Sequence, residues 1–155
     1  MVDTDTPRVL IVEARYYEDI IDQLVAGVTA ELDKTKFDYE RLEVPGVFEV
    51  PAAIRMALGA KCNSINPYYA GYIALGCVIR GETSHYDYVC GESSRALMNL
   101  SMEFSIALGF GILTCENKAQ AQIRADINAK NKGGEAATAC LRMMDVRQHF
   151  CLLRQ

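Results

Sequence analysis

The sequence lacks an excess of positive charge: 16 Lys and Arg stand against 20 Asp and Glu, a formal net charge of −4. A nucleic-acid partner would call for a basic face, so none is expected. Six cysteines are present, yet no two form a Cys-x-x-Cys pair, and only His85 and His149 could join them. No metal site is expected from such spacing. Met1 to Arg8 carries acidic residues and no apolar segment of the secretory kind, and no apolar run approaches the ~20 residues that cross a bilayer. Neither a signal peptide nor a membrane partner is expected. Most of the cysteines lie within apolar runs, where a free thiol packs as a small hydrophobe, so the expected compartment is a reducing cytoplasm. Internal repeats and low-complexity linkers are missing too. Residues 1–155 are therefore expected to form one domain, long enough to bury roughly 70% of the unfolded surface.

What is present is half apolar and 23% charged, with both signs interspersed, the composition of an ordinary globular protein. Val9 to Val12 is a short apolar run suited to a strand buried on both faces. From Tyr17 to Lys34, Ile21, Leu24, Val25, Val28 and Leu32 recur at helical spacing, opened by Glu18 and Asp19 and closed by Lys34 as the helix dipole favours. Phe37 to Val44 alternates like a strand and is stopped by Pro45-Gly46. Pro51 to Ala60 reads as a helix with Pro in its first turn. Lys61 to Tyr69 reads as a surface loop, and Ala70 to Ile79 as a strand. A long helix then runs from the Gly81–Ser84 turn to near Leu108, with Val89, Leu97, Leu100 and Phe104 inward. Phe110 to Cys115 is a fourth strand. Lys118 to Lys130 and Glu135 to about Leu152 read as two closing helices.

The order β-α-β-α-β-α-β-α-α implies right-handed crossovers and a parallel sheet covered on both faces. The expected fold is α/β: a three-layer α/β/α sandwich, flavodoxin-like, with a four-stranded parallel sheet. Ligands bind such sheets beyond the carboxyl ends of the strands. Along that edge the chain reads Ala14-Arg15-Tyr16-Tyr17, Pro45 to Glu49, Arg80 to His85, and Cys115-Glu116-Asn117.

In Gly76 to Val89, GCVIRGETSHYDYV, a buried strand ends in Arg80-Gly81 and a helix starts after small polar residues. Amide N–H groups at a helix start make an anion cradle, and His85 would stand within a turn of it. The other reading is a helix cap at Thr83 or Ser84 followed by a surface histidine. In Pro45 to Pro51, PGVFEVP, an exposed Phe48 beside the Glu49 carboxylate suits a flat heterocycle offering N–H donors; the other reading packs Phe48 into the core and leaves Glu49 at a helix start. Tyr16-Tyr17 serves either stacking or packing. Arg124 lies on a helix with a solvated polar face, and Lys132-Gly133-Gly134-Glu135 reads by itself as a turn.

Taken together, PGVFEVP, GCVIRGETSHYDYV, FGILTCEN at Phe110 to Asn117, Arg124, and NKGGEAA at Asn131 to Ala137 resemble the 6,7-dimethyl-8-ribityllumazine synthase family. The resemblance spans about residues 8 to 150, and the IRG-x-T-x-H pattern is its most specific part. It implies an enzyme of riboflavin biosynthesis, a transferase that condenses 5-amino-6-(D-ribitylamino)uracil with 3,4-dihydroxy-2-butanone 4-phosphate and releases phosphate. It implies no metal and no organic cofactor. It also implies a homopentamer, alone or built into a larger shell.

By the same resemblance, Tyr16 takes the place of the aromatic that stacks on the pyrimidine ring. Val47, Phe48 and Glu49 match the turn that holds the ring and ribityl chain. Cys77, Val78 and Ile79 match the strand end lining the ring pocket, and Gly81, Glu82 and Thr83 the phosphate-binding helix start. His85 matches the proton-transfer residue. Phe110, Arg124 and Lys132 match residues given by a neighbouring subunit, with Arg124 on the phosphate, and Glu135 matches an acidic position near the histidine. Tyr16-Tyr17 stands where the family usually has Phe or Trp followed by Asn. Asn128 replaces a second basic residue, concentrating phosphate binding on Arg124, and Glu82 requires that its backbone N–H face the phosphate. Two further classes would share the fold. One is a ribityl-compound binding protein without turnover. The other is a flavodoxin-like electron carrier, for which Glu13 to Asp19 lacks the Ser/Thr/Gly-rich phosphate loop.

Overall fold

A computed structural model describes residues 7–60 and 69–152. Its strands are β1 (Arg8–Ala14), β2 (Asp38–Val44), β3 (Tyr69–Ile79) and β4 (Leu108–Cys115). Its helices are α1 (Glu18–Leu32), α2 (Val50–Gly59), α3 (His85–Phe104), α4 (Lys118–Ala125) and α5 (Lys132–His149), and one 3-10 turn, Val47–Glu49, precedes α2. All the strand pairings are parallel, in the order β2-β1-β3-β4. The expected α/β/α sandwich with a four-stranded parallel sheet is what these residues form. The N-terminal segment through residue 6, and the loop expected from Lys61 up to residue 68, lie outside the described residues; Tyr69 belongs to β3.

The two faces of the sheet carry separate cores. Val9, Ile11, Ile73, Leu75 and Leu113 pack against Ile21, Leu24, Val28 of α1, Ala121 and Ala125 of α4, and Ala136, Ala137 and Cys140 of α5. Leu10, Val12, Ala74 and Ile112 pack against Ile54 of α2 and Val89, Leu97 and Leu100 of α3. A continuous apolar run such as Val9 to Val12 is what a strand covered on both sides requires. Each such Ile or Leu contributes roughly 1.5–3 kcal/mol by leaving water. β2 is one of the two edge strands, and there the alternation does not divide inside from outside: Tyr39 and Leu42 are both exposed.

Several boundaries move. α1 stops at Leu32, before Lys34, because Thr35 turns back to donate its N–H (2.9 Å) and Oγ1–H (2.7 Å) to the Leu32 carbonyl. α3 ends at Phe104, not near Leu108: Ser105 adopts a left-handed conformation with φ 49°, and Leu108 already belongs to β4. α4 ends at Ala125 instead of Lys130, where the Asp126 carboxylate accepts the Asn128 N–H at 2.8 Å in an Asx turn. α5 starts at Lys132 instead of Glu135, since the Asn131 side chain caps it by accepting the Gly134 N–H at 3.1 Å. Among the described residues, no helix is long and apolar enough to cross a membrane.

Candidate active site

The carboxyl ends of β1, β2 and β3 open into one cavity of about 460 Å³. The β1 end delivers Tyr16 and Tyr17, whose rings meet edge to face with centroids 4.9 Å apart. Past β2, Gly46 is extended and the chain tightens into the 3-10 turn, closed by the Glu49 N–H donating to the Gly46 carbonyl at 3.2 Å. Pro51 in the first turn of α2 then fixes the helix start. This turn buries Val47 and leaves Phe48 59% exposed and Glu49 exposed. Phe48 is thus not a core residue. Gly76 on β3 makes room for the turn: a Cβ there would stand 2.5 Å from Val47 Cγ2.

After β3 the chain turns through Arg80 to Ser84 into α3. The Arg80 guanidinium ties that turn down, with Nε donating to Glu116 at 3.0 Å and Nη1 to Asp87 at 3.2 Å, while it stacks over the Tyr86 ring at 4.1 Å. Gly81, Glu82, Thr83 and Ser84 are all exposed at the mouth of the helix. The Thr83 hydroxyl accepts the His85 N–H at 3.3 Å, and Ser84, at the cap position, makes no side-chain cap bond. His85 is the first residue of α3 and faces the cavity, exposed.

Burial governs the ionisation of the cavity's walls. It pushes the Cys77 thiol up to about 12, helped by the neighbouring Cys115. Cys77 is therefore a neutral, weakly polar wall and not a nucleophile. Burial also raises the Tyr17 and Tyr86 phenols above their ordinary values, so both remain O–H donors near neutrality. Among the described residues no group of three or more His, Cys, Asp or Glu side chains is arranged to hold a metal ion.

Of the residues singled out in the sequence, Tyr16, Val47, Phe48, Glu49, Cys77, Val78, Ile79, Gly81, Thr83 and His85 line this cavity. Tyr17, open above to stacking or packing, lines it as well, as do Gly46, Tyr86 and Val89, to which the sequence assigned no site role. Tyr86 and Val89 carried a signal: they follow His85 on the same helix, Val89 one turn on. Glu82 is exposed beside the cavity without lining it. Four residues fall elsewhere. Phe110, 47% exposed in the body of β4, lines a separate groove with Leu97, Met98, Ile106 and Met143. Arg124 is half-buried on α4, its Nη1 donating to the Gln120 carbonyl at 3.1 Å. Lys132 and Glu135 pair with each other at 2.5 Å in the first turn of α5. A wider groove of about 630 Å³ around Arg8, Leu32, Phe37 and Tyr39 lies at the amino ends of β1 and β2 and holds none of these residues.

Residues 6–148 match the family described as 6,7-dimethyl-8-ribityllumazine synthase. A 6,7-dimethyl-8-ribityllumazine synthase of Paramagnetospirillum magneticum is 48% identical over 146 residues, covering 94% of this chain and 97% of that protein. The enzyme of the same name from Bartonella tribocorum is 50% identical over 144 residues, 93% of this chain and 92% of that one. That of Methylorubrum extorquens is 50% identical over 141 residues, 91% and 81% of the two chains.

Proposed function

This chain belongs to the 6,7-dimethyl-8-ribityllumazine synthase family, enzymes of riboflavin biosynthesis, and we propose that it condenses 5-amino-6-(D-ribitylamino)uracil with 3,4-dihydroxy-2-butanone 4-phosphate. An amine of the pyrimidine attacks the ketone and loses water to an imine. Phosphate is eliminated, and the second amine closes the ring with loss of another water. The products are the lumazine, phosphate and two waters, with no net redox change. The observation that carries the reading is that Tyr16, the Val47–Glu49 turn and His85 line one cavity at the carboxyl ends of the strands.

In that cavity Tyr16 stacks on the pyrimidine ring and Phe48 covers the ribityl side. Glu49 accepts hydrogen bonds from ring or hydroxyl donors, while Cys77, Val78 and Ile79 form the floor. The phosphate sits at the start of α3, against the backbone of Gly81, Glu82 and Thr83. His85, one position from Ser84, transfers protons in imine formation and elimination, an effect typically worth ~10²–10⁴ in rate. Holding both reactants in one enclosure supplies much of the remaining acceleration. No metal or organic cofactor takes part.

Phe110, Arg124 and Lys132 act from a second copy of the chain, and Glu135 supplies an acidic group near the histidine. Arg124 meets the phosphate and stabilises it as it leaves. The groove bearing Phe110 supports an assembly, because Met98, Phe110 and Met143 leave apolar surface exposed there. The assembly is a cytoplasmic homopentamer of single-domain subunits, joined head to tail around a ring. The test is direct: mix both substrates with the protein and follow lumazine absorbance. Enzyme-dependent lumazine and phosphate in equal amounts are expected. A protein that binds a ribityl compound but forms no lumazine would overturn the reading.

A further inference from the structure

Glu13, near the end of β1, is the one charged side chain among the described residues with no exposed surface, at 0%. Two arginines meet its carboxylate. Arg41 on β2 donates from Nε and Nη2 at 2.5 and 2.9 Å, and Arg15 donates from Nη1 at 3.1 Å. Arg15 reaches on to Asp22 of α1 at 2.7 Å and faces Glu43 at 3.7 Å. Buried ion pairs rarely stabilise more than apolar residues of the same volume would, and their best-attested use is to fix one arrangement over another.

The arrangement at stake here is the direction of Tyr16. Side chains on β1 alternate: Val9 and Ile11 enter the core under α1, and Leu10, Val12 and Ala14 the core under α2 and α3. Glu13 falls on the α1 side, and the bond from Arg15 holds that residue there too. The Arg15 N–H donates to the Val44 carbonyl at 3.1 Å, which extends the ladder one residue past Ala14. Tyr16 therefore leaves with Ala14, towards Val47 and the cavity, and Tyr17 turns back to pack on the α1 core. A slip of one residue would exchange the two tyrosines.

We propose that Glu13 is a positioning residue for the cavity: through Arg15, its buried carboxylate fixes the side on which Tyr16 leaves β1 and so sets the stacking surface offered to the heterocyclic substrate. The inference rests on the reading that Tyr16 stacks on the pyrimidine. Full-length Glu13→Gln, Arg15→Gln, Arg15→Lys, Tyr16→Ala and the Arg15→Gln/Tyr16→Ala double variant are assayed with each substrate varied in turn. Arg15→Gln leaves Glu13 paired with Arg41, so it decides the matter if Glu13→Gln does not fold. Both Gln variants are expected to raise KM for the pyrimidine about tenfold while KM for the sugar phosphate stays within about twofold. Arg15→Lys recovers part of the loss, and the double variant is no worse than Tyr16→Ala alone. If Tyr16→Ala raises the pyrimidine KM and Arg15→Gln does not, Glu13 serves the sheet only and the inference is overturned. If Tyr16→Ala itself leaves that KM unchanged, the stacking reading fails and takes the inference with it.

Discussion

Gly133 lies so close to the main chain of Leu24 that a Cβ built on it would stand 2.1 Å from the Leu24 carbonyl oxygen. α5 packs on α1 through this contact, backbone to backbone, and neither main chain can step aside. Gly133→Ala is expected to cost at least ~1–3 kcal/mol, the range of an overpacked core, read as a lower urea midpoint at unchanged slope. An unaltered midpoint would mean that the two helices do not approach this closely.

Burial pushes the thiols of Cys77 and Cys140 each up to about 12. An unfolded cysteine ionises near ~8.5, so above that value the unfolded chain sheds protons that the native protein retains. Stability from these two groups is fully present below that value and is lost as pH rises towards 12. Denaturation curves from pH 8 upward should therefore show a decline that Cys140→Ala reduces only in part, since burial raises the thiols of Cys77, Cys90 and Cys115 as well. A slope unchanged by that substitution would remove Cys140 from the account.

His85→Ala is expected to retain substrate-analogue binding and to lower turnover by roughly ten- to a thousandfold, since the cavity keeps its walls and loses only a proton carrier. Single-turnover kinetics give the comparison. An unchanged rate assigns the proton transfers to another group.

For Arg124→Ala the expected change falls on one substrate. A charge-assisted bond to phosphate is worth about 1.5–3 kcal/mol, so KM for the sugar phosphate should rise about ten- to a hundredfold with far less effect on the pyrimidine. Within its own chain the Arg124 side chain bonds only back to Gln120 among the hydrogen bonds described, so little stability should be lost. Equal effects on both substrates would place Arg124 away from the phosphate.

The sandwich was legible because β1 and β3 are covered on both faces, and their apolar runs can mean little else at that length. α1 was legible from its repeat, with Ile21, Leu24 and Val28 inward as expected. The ends of α3 and α4 were not. No Gly or Pro marks Ser105, which turns left-handed between Phe104 and Leu108, residues whose spacing would also suit a continuing helix. Asp126 to Lys130 has the composition of a helix and forms turns instead, because a short carboxylate captured the Asn128 N–H. Gly133 and Gly134 look like a turn, but they lie inside the first turn of α5, where small size matters more than flexibility. Along the cavity, sequence picked out Tyr16, the Val47–Glu49 turn and His85 because unusual residues cluster at strand ends. It passed over Tyr86, whose place is set by the Arg80 guanidinium stacked on its ring. Glu13 gave no sign of its burial, since one of its two arginine partners, Arg41, comes from a different strand.

The measurement that bears most directly on a site shared between subunits is complementation by subunit exchange. His85→Ala supplies an intact Arg124 half and Arg124→Ala an intact His85 half. Random reassociation of an equal mixture in a ring makes about a quarter of the interfaces complete, so with the sugar phosphate held well below the raised KM of Arg124→Ala the rate should recover to about a quarter of the unsubstituted enzyme's. Activity that stays at the mean of the two parent variants after thorough exchange would contradict the shared site.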